Sequence, residues 1–147
     1  IRLDMYGLIQ PGYEGTLQNI IKSNPNLVDY KGIVEFDKTV ETLSDYFLLM
    51  FPTYYYGEGF PGNVVDAYNS ALPIIATDWL YNKDVIIDGR NGILVPIKSP
   101  DRLADALLSL YYDRDKHYDI AVNNIHDSRK YHPDIVLKDF YAFIDQI

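Results

Sequence analysis

The chain has 147 residues, 48% of them hydrophobic and 23% charged, and carries a net charge of −8. That length suits one domain with a real core, and the acidic balance argues against nonspecific nucleic-acid binding and against docking on anionic lipid. The absence of cysteine excludes a disulfide framework, a thiol nucleophile and a thiolate-bound zinc; no run approaches the ~18 apolar residues of a membrane span.

Residues 1–9 (IRLDMYGLI) predict a buried strand closing on Gly7. Gly12 to Ser23 predict a helix with Leu17, Ile20 and Ile21 on one face, broken by Asn24-Pro25-Asn26. Val28 to Val34 read as a short strand interrupted by Gly32, and Asp37 as the N-cap of a helix carrying Val40 and Leu43. Tyr46 to Phe51 form a continuous apolar run of the kind found in the middle of a parallel sheet. Pro61 opens a helix through Ser70, Pro73 to Ala76 make a strand, and Leu80 to Val85 a helical turn. The cluster Asp88-Gly89-Arg90-Asn91-Gly92 turns the chain into a strand at Ile93 to Val95.

After Ser99, which is placed to cap a helix beginning at Pro100, the period changes to that of helices. Leu103, Ala106, Leu107 and Leu110 mark the first stripe. Tyr118, Ala121, Val122 and Ile125 mark the second. Val136, Phe140, Phe143, Ile144 and Ile147 mark a third, opened by Pro133. Strands alternating with helices at this spacing predict an α/β fold, a doubly wound parallel sheet followed by C-terminal helices. Ligands of such sheets lie at the carboxyl ends of the strands.

Phe51 ends one strand, and the loop after it holds Glu58 among Gly57, Gly59, Pro61 and Gly62. The glycines let main chain approach a ligand closely, and the first turn of the next helix offers N–H groups to an anion or a sugar oxygen. Asp66 follows eight positions after Glu58, about one turn into that helix. A carboxylate there is placed to accept two vicinal hydroxyls, as on a ribose. Glu58 is placed to accept hydroxyls of a second sugar or to steady positive charge at its reacting carbon. A mobile Tyr/Gly loop followed by an ordinary helix is the competing interpretation of the same residues.

The segment resembles the donor-binding core of family 4 glycosyltransferases, retaining enzymes of the GT-B fold. Pro52-Thr53, Glu58-Gly59-Phe60-Pro61, Asp66-Ala67 and Leu72-Pro73-Ile74-Ile75-Ala76-Thr77 stand in the order of that family's signature, in which two glutamates are separated by seven residues. Ile87-Asp88-Gly89, Asn91-Gly92-Ile93-Leu94-Val95, Pro100, Leu103 and Ala104 match its continuation. The resemblance implies that residues 1–147 are a single domain, the Rossmann-like C-terminal half of a longer enzyme whose N-terminal acceptor domain is absent. It implies a catalytic role for Glu58 toward the donor sugar. It also implies nucleotide-sugar contacts from Gly59, Phe60, Pro61 and Gly62, ribose contacts from Asp66, and a base bordered by Gly32, Ile33 and Val34. The donor would be a UDP- or GDP-sugar bound without metal or other cofactor. The acceptor would be a glycan or a lipid-linked molecule, with no nucleic-acid partner and no transmembrane segment. By family habit the setting is cytoplasmic, at the inner membrane face in the parent, in cell-surface polysaccharide or glycolipid synthesis.

Three departures are visible. The second acid is Asp66 rather than Glu, Ala71 replaces a usual Gly, and the family's diphosphate-neutralising Arg and Lys would precede Ile1. A response-regulator receiver would need an Asp at the end of the Phe47–Phe51 strand, which is lacking. A nucleotide-sugar epimerase of the same fold would need more acids and histidines, and a non-enzymatic nucleotide-binding or interaction module stays open. Asp113-Arg114-Asp115 and the scattered His117, His126 and His132 are expected at helix ends and on the surface. Tyr68, Tyr111, Tyr118 and Tyr141 are expected in packing, with Trp79 as a packing or lid residue. Lys83 and Arg90 are the cations nearest the loop, both expected at the surface.

Overall fold

The structure is a computed structural model that describes residues 1–144. The chain divides into two compact units, Ile1–Thr39 and the part from Val40 onward.

In the first unit, strand β1 (Leu3–Tyr6), helix α1 (Glu14–Ser23) and strand β2 (Val28–Gly32) form a βαβ unit with parallel strands. Both strands end on glycines in the left-handed region, Gly7 at φ 130° and Gly32 at φ 81°, which the Gly7 N–H joins through the Gly32 carbonyl at 2.9 Å. The expected buried strand over residues 1–9 is shorter, and Leu3 and Tyr6 stay exposed because β1 has a hydrogen-bonded neighbour on one side only. None of the residues of α1 is fully buried, and Ile20 is exposed. Asp37 is not a cap. It lies inside a 3₁₀ turn, Phe36–Lys38, because the chain already turns at extended Glu35.

Past that turn comes helix α2 (Thr39–Leu43), followed by the second unit's sheet of β3 (Leu49–Phe51), β4 (Ile74–Thr77) and β5 (Ile93–Val95), all parallel in the order β3-β4-β5. The middle strand is therefore β4, buried at all four residues, and not the Tyr46–Phe51 run, whose first three residues stay outside the strand. Period-two alternation sends Ile74 and Ala76 to one face and Ile75 to the other. On the first face they meet α3 (Gly62–Asn69) through Val64, Ala67 and Tyr68, and α4 (Asn82–Val85) through Val85. On the second face Ile75 and Val95 meet α5 (Pro100–Tyr112) and α6 (Arg114–Ser128) through Ala106, Leu110 and Ile120. Helices thus cover both faces of a parallel sheet, as the alternating pattern predicts. Each fully buried Ile, Leu or Val contributes about 1.5–3 kcal/mol, so this double layer carries the stability of the unit.

Helix ends follow local chemistry. After α3 the Leu72 N–H returns to the Ala67 carbonyl at 2.8 Å and the Ala71 N–H to that of Tyr68 at 3.1 Å, a Schellman closure with Ala71 at φ 53°. Ser99 stands at the N-cap of α5, but its hydroxyl goes to the Ile97 carbonyl. Asp113 caps α6 by accepting the Lys116 N–H at 2.9 Å, which accounts for one acid of Asp113-Arg114-Asp115.

The second and third stripes differ from expectation. In α6, Tyr118, Val122 and Ile125 face solvent, and Ile120, Asn124 and Asp127 are the buried residues. The third helix runs as α7 (Pro133–Val136) and α8 (Lys138–Ile144), with Val136, Phe140, Phe143 and Ile144 exposed. Ile147 lies outside the described residues. Tyr118 and Tyr141 are exposed rather than packed, whereas Tyr68 is fully buried and donates its hydroxyl to the Val85 carbonyl at 3.0 Å.

Candidate functional site

The parallel register sets Phe51, Thr77 and Val95 at the carboxyl edge of their sheet. The loop 52–61 leaves from this edge, and side chains of β4 and the turn after it hold it there. The Thr77 hydroxyl donates to the Thr53 carbonyl, and the Trp79 indole N–H donates to the Tyr55 carbonyl at 3.0 Å. The Thr77 carbonyl is itself held by the buried Asn82 amide at 2.9 Å. The Trp79 and Tyr56 rings meet in a T-shaped contact, with centroids 4.9 Å apart, so the indole touches two consecutive loop residues.

This bracing reaches the acid of interest. The Thr53 hydroxyl donates to Glu58 Oε2 at 3.0 Å and receives the Tyr55 N–H at 3.3 Å. The hydroxyl thus has a fixed direction, and one oxygen of the half-buried Glu58 is oriented by it. Gly59 and Gly62 have open space where a Cβ would stand, whereas a Cβ on Gly57 would run into the Tyr55 ring. Phe60 is exposed and tilts against Tyr131, and Pro61 is buried at the N-cap of α3.

The first turn of α3 is partly closed. Its Gly62 N–H goes to the Phe60 carbonyl and its Val64 N–H to that of Pro61, both at 2.9 Å. Those two bonds leave fewer donors facing outward than the sequence suggests, although no side chain caps the helix. Asp66 is half-buried in the next turn, and its carboxylate has no hydrogen-bond or ion-pair partner among the described residues. Burial raises its pKa above the ordinary aspartate value. In the first unit, Gly32 ends β2, Ile33 is exposed and Val34 half-buried.

Arg90 is not a free surface cation. It pairs with the buried carboxylate of Asp127 through both terminal nitrogens, beside the Asn91 amide at 2.9 Å and the Lys130 ammonium at 2.7 Å. Burial works to raise the Asp127 pKa, but the hydrogen bonds from Arg90, Lys130 and Asn91 overcome it and hold the carboxyl well below the carboxylate range. His117 is half-buried, stacked on Phe47 at 4.2 Å with Nε2 2.8 Å from the Phe47 carbonyl oxygen, and the His132 ring accepts the Asp134 N–H at the start of α7. Among the described residues no group of three or more His, Asp or Glu is placed to hold a metal ion, and no helix is long and apolar enough to cross a membrane.

Trp79, expected as a packing or lid residue, does meet the loop. Sequence reasoning missed Thr53 and Thr77 as its braces, because a hydroxyl residue at or just after the end of an apolar strand is too common to single out.

The family described as "Glycosyl transferases group 1" matches residues 1–113. No curated protein matches the chain. Among solved structures, the pneumococcal O-GlcNAc transferase GtfA, in complex with UDP and GlcNAc, is similar over 99% of this chain and 29% of its own, with 22% identity and a TM-score of 0.81. Sucrose-phosphate synthase from Thermosynechococcus elongatus is similar over 99% and 38%, with 16% identity and a TM-score of 0.85. Anabaena HepE in complex with UDP-glucose is similar over 99% and 41%, with 17% identity and a TM-score of 0.83. The chain therefore spans less than half the length of these three proteins. At such identities the likeness shows a shared fold, an α/β Rossmann-like half of the GT-B architecture.

Proposed function

The chain belongs to the group 1 glycosyl transferases, and we propose that it is the donor-binding domain of a longer retaining enzyme. Its ligand is a nucleoside diphosphate sugar, for which a UDP-sugar is the first choice because GtfA holds UDP and HepE holds UDP-glucose. The observation that carries this reading is the braced Glu58. Its carboxylate is set by Thr53 on a loop tied to the carboxyl edge of the sheet, where ligands of parallel sheets bind.

In this reading Glu58 faces the donor sugar beside the main chain of Gly59 to Gly62, including Phe60 and Pro61. It stabilises positive charge developing at the anomeric carbon as the diphosphate leaves. Asp66 accepts the ribose hydroxyls, and its lack of a protein partner leaves its oxygens open for them. The sugar passes to a glycan or lipid-linked acceptor held by an N-terminal domain, with retained configuration, without a metal, on the cytoplasmic side of the membrane.

Titration calorimetry with UDP, GDP and their glucose conjugates tests the binding half. The expected result is saturable heat with one nucleotide series, weakened at least tenfold by Asp66→Ala. Flat traces with all four ligands would favour a plain interaction module. For the chemical half, Thr53→Val in the full-length parent should lower turnover about tenfold or more, and Thr53→Ser should restore it, with UDP affinity nearly unchanged. Equal activity in all three forms would remove the positioning role.

A further inference from the structure

The carboxyl edge of the β3-β4-β5 sheet holds a cavity of about 260 Å³ that the reading above does not use. Its wall is mostly apolar: Pro52 after β3, Val95 and Pro96 at the end of β5, Leu103 of α5, and the ring of Tyr54. Thr77 and Ser99 also line it, but both hydroxyl hydrogens are committed, one to the Thr53 carbonyl and the other to that of Ile97. Lys98 and the Tyr54 hydroxyl are then the lining groups with donors to spare, and Lys98 is the one that carries charge. Its ammonium stands 5.3 Å over the Tyr54 ring and has no carboxylate partner among the described residues, in a chain of net charge −8.

Lys98 also occupies the left-handed region at φ 55°. A non-glycine residue there is strained, and such strain gathers at active sites and ligand clamps. A polyhydroxylated sugar would need several donors and acceptors that this wall does not supply. We propose that the cavity is a separate ligand subsite for a small amphiphilic anion: an apolar ring or short chain with one phosphate or carboxylate, its apolar part against the prolines, Val95 and Leu103, its anionic group on Lys98. The wall is too small for a lipid, and the acidic surface argues against docking on an anionic bilayer. The inference is independent of Glu58 and Asp66, so its failure leaves the donor-site reading standing.

Amide chemical shifts of the chain titrated with phenyl phosphate, with inorganic phosphate and phenol as partial probes, test it. The expected result is saturable shifts at Thr77, Val95, Ser99 and Leu103. Phenyl phosphate should bind at least tenfold more tightly than either partial probe. Lys98→Gln should weaken it tenfold or more, and Lys98→Arg should keep it within about threefold. Lys98→Gly, which relieves the backbone, should raise the Tm while abolishing binding, so loss of the ligand is separated from loss of the fold. Phenyl phosphate binding no tighter than inorganic phosphate, binding indifferent to Lys98→Gln, or shifts confined to other regions would overturn the proposal.

Discussion

Ala71 sits at φ 53° in the closure after α3, where the backbone favours glycine. The left-handed region costs an alanine about 1–2 kcal/mol, and glycine's greater freedom in the unfolded chain offsets part of that. Ala71→Gly should therefore stabilise the fold by about 0.5–1 kcal/mol, read as a higher urea midpoint at unchanged slope. Asp66 makes the opposite kind of compromise. Its pKa is raised by burial with no partner, so ionising it opposes folding. The penalty is absent by about pH 3, where the carboxyl is mostly protonated in both states, and grows as pH rises through and above the ordinary aspartate value. Asp66→Asn should raise the Tm at pH 7, and the gap should close by pH 3. A gap that persists at pH 3 would assign the gain to packing instead. Such a cost fits the ribose-binding role proposed for Asp66 above.

At the scale of elements, α6 shows how far the sequence could be read. Its existence was legible from the apolar period, and Asp113 was expected only at a helix end. The buried face of the helix was not legible, because Asn124 and Asp127 are polar and hydrophobic periodicity is blind to them. Asp127 is buried on account of Arg90, 37 positions earlier, and no local pattern announces a pairing at that distance. The same limit hid the Lys98 cavity, which is assembled from the ends of three strands and a helix. By contrast the strand, Gly/Pro loop and helix around Glu58 are contiguous, so both the fold there and the candidate acids were visible in order. Asp127→Ala should leave Arg90 without its partner and loosen α6 from the 88–92 turn, costing about 3 kcal/mol; Arg90 is partly exposed, which sets the cost at the low end of the range for broken buried pairs. Since the Asp127 pKa is depressed in the fold, its contribution is full above about pH 4 and is lost as pH falls below. The Tm difference between wild type and Asp127→Ala should accordingly shrink between pH 5 and pH 2. A constant difference would show that the carboxylate acts through shape alone.

Across the whole molecule, buried residues are unevenly spread. Among the described residues every fully buried side chain belongs to the unit from Val40 onward, and the Ile1–Thr39 unit has none. Local opening is easiest where few apolar contacts must break. Amide exchange in β1 and β2 should therefore be at least tenfold faster than in β4, whose four residues are all covered. Comparable protection in the two units would contradict this. The bracing of the loop has a practical consequence of its own. The chain has a single tryptophan, and its indole is bonded to one residue of that loop and in ring contact with the next. Its emission is thus a built-in optical reporter: a molecule that settles on or displaces residues 55–56 should alter colour or brightness without any dye being attached.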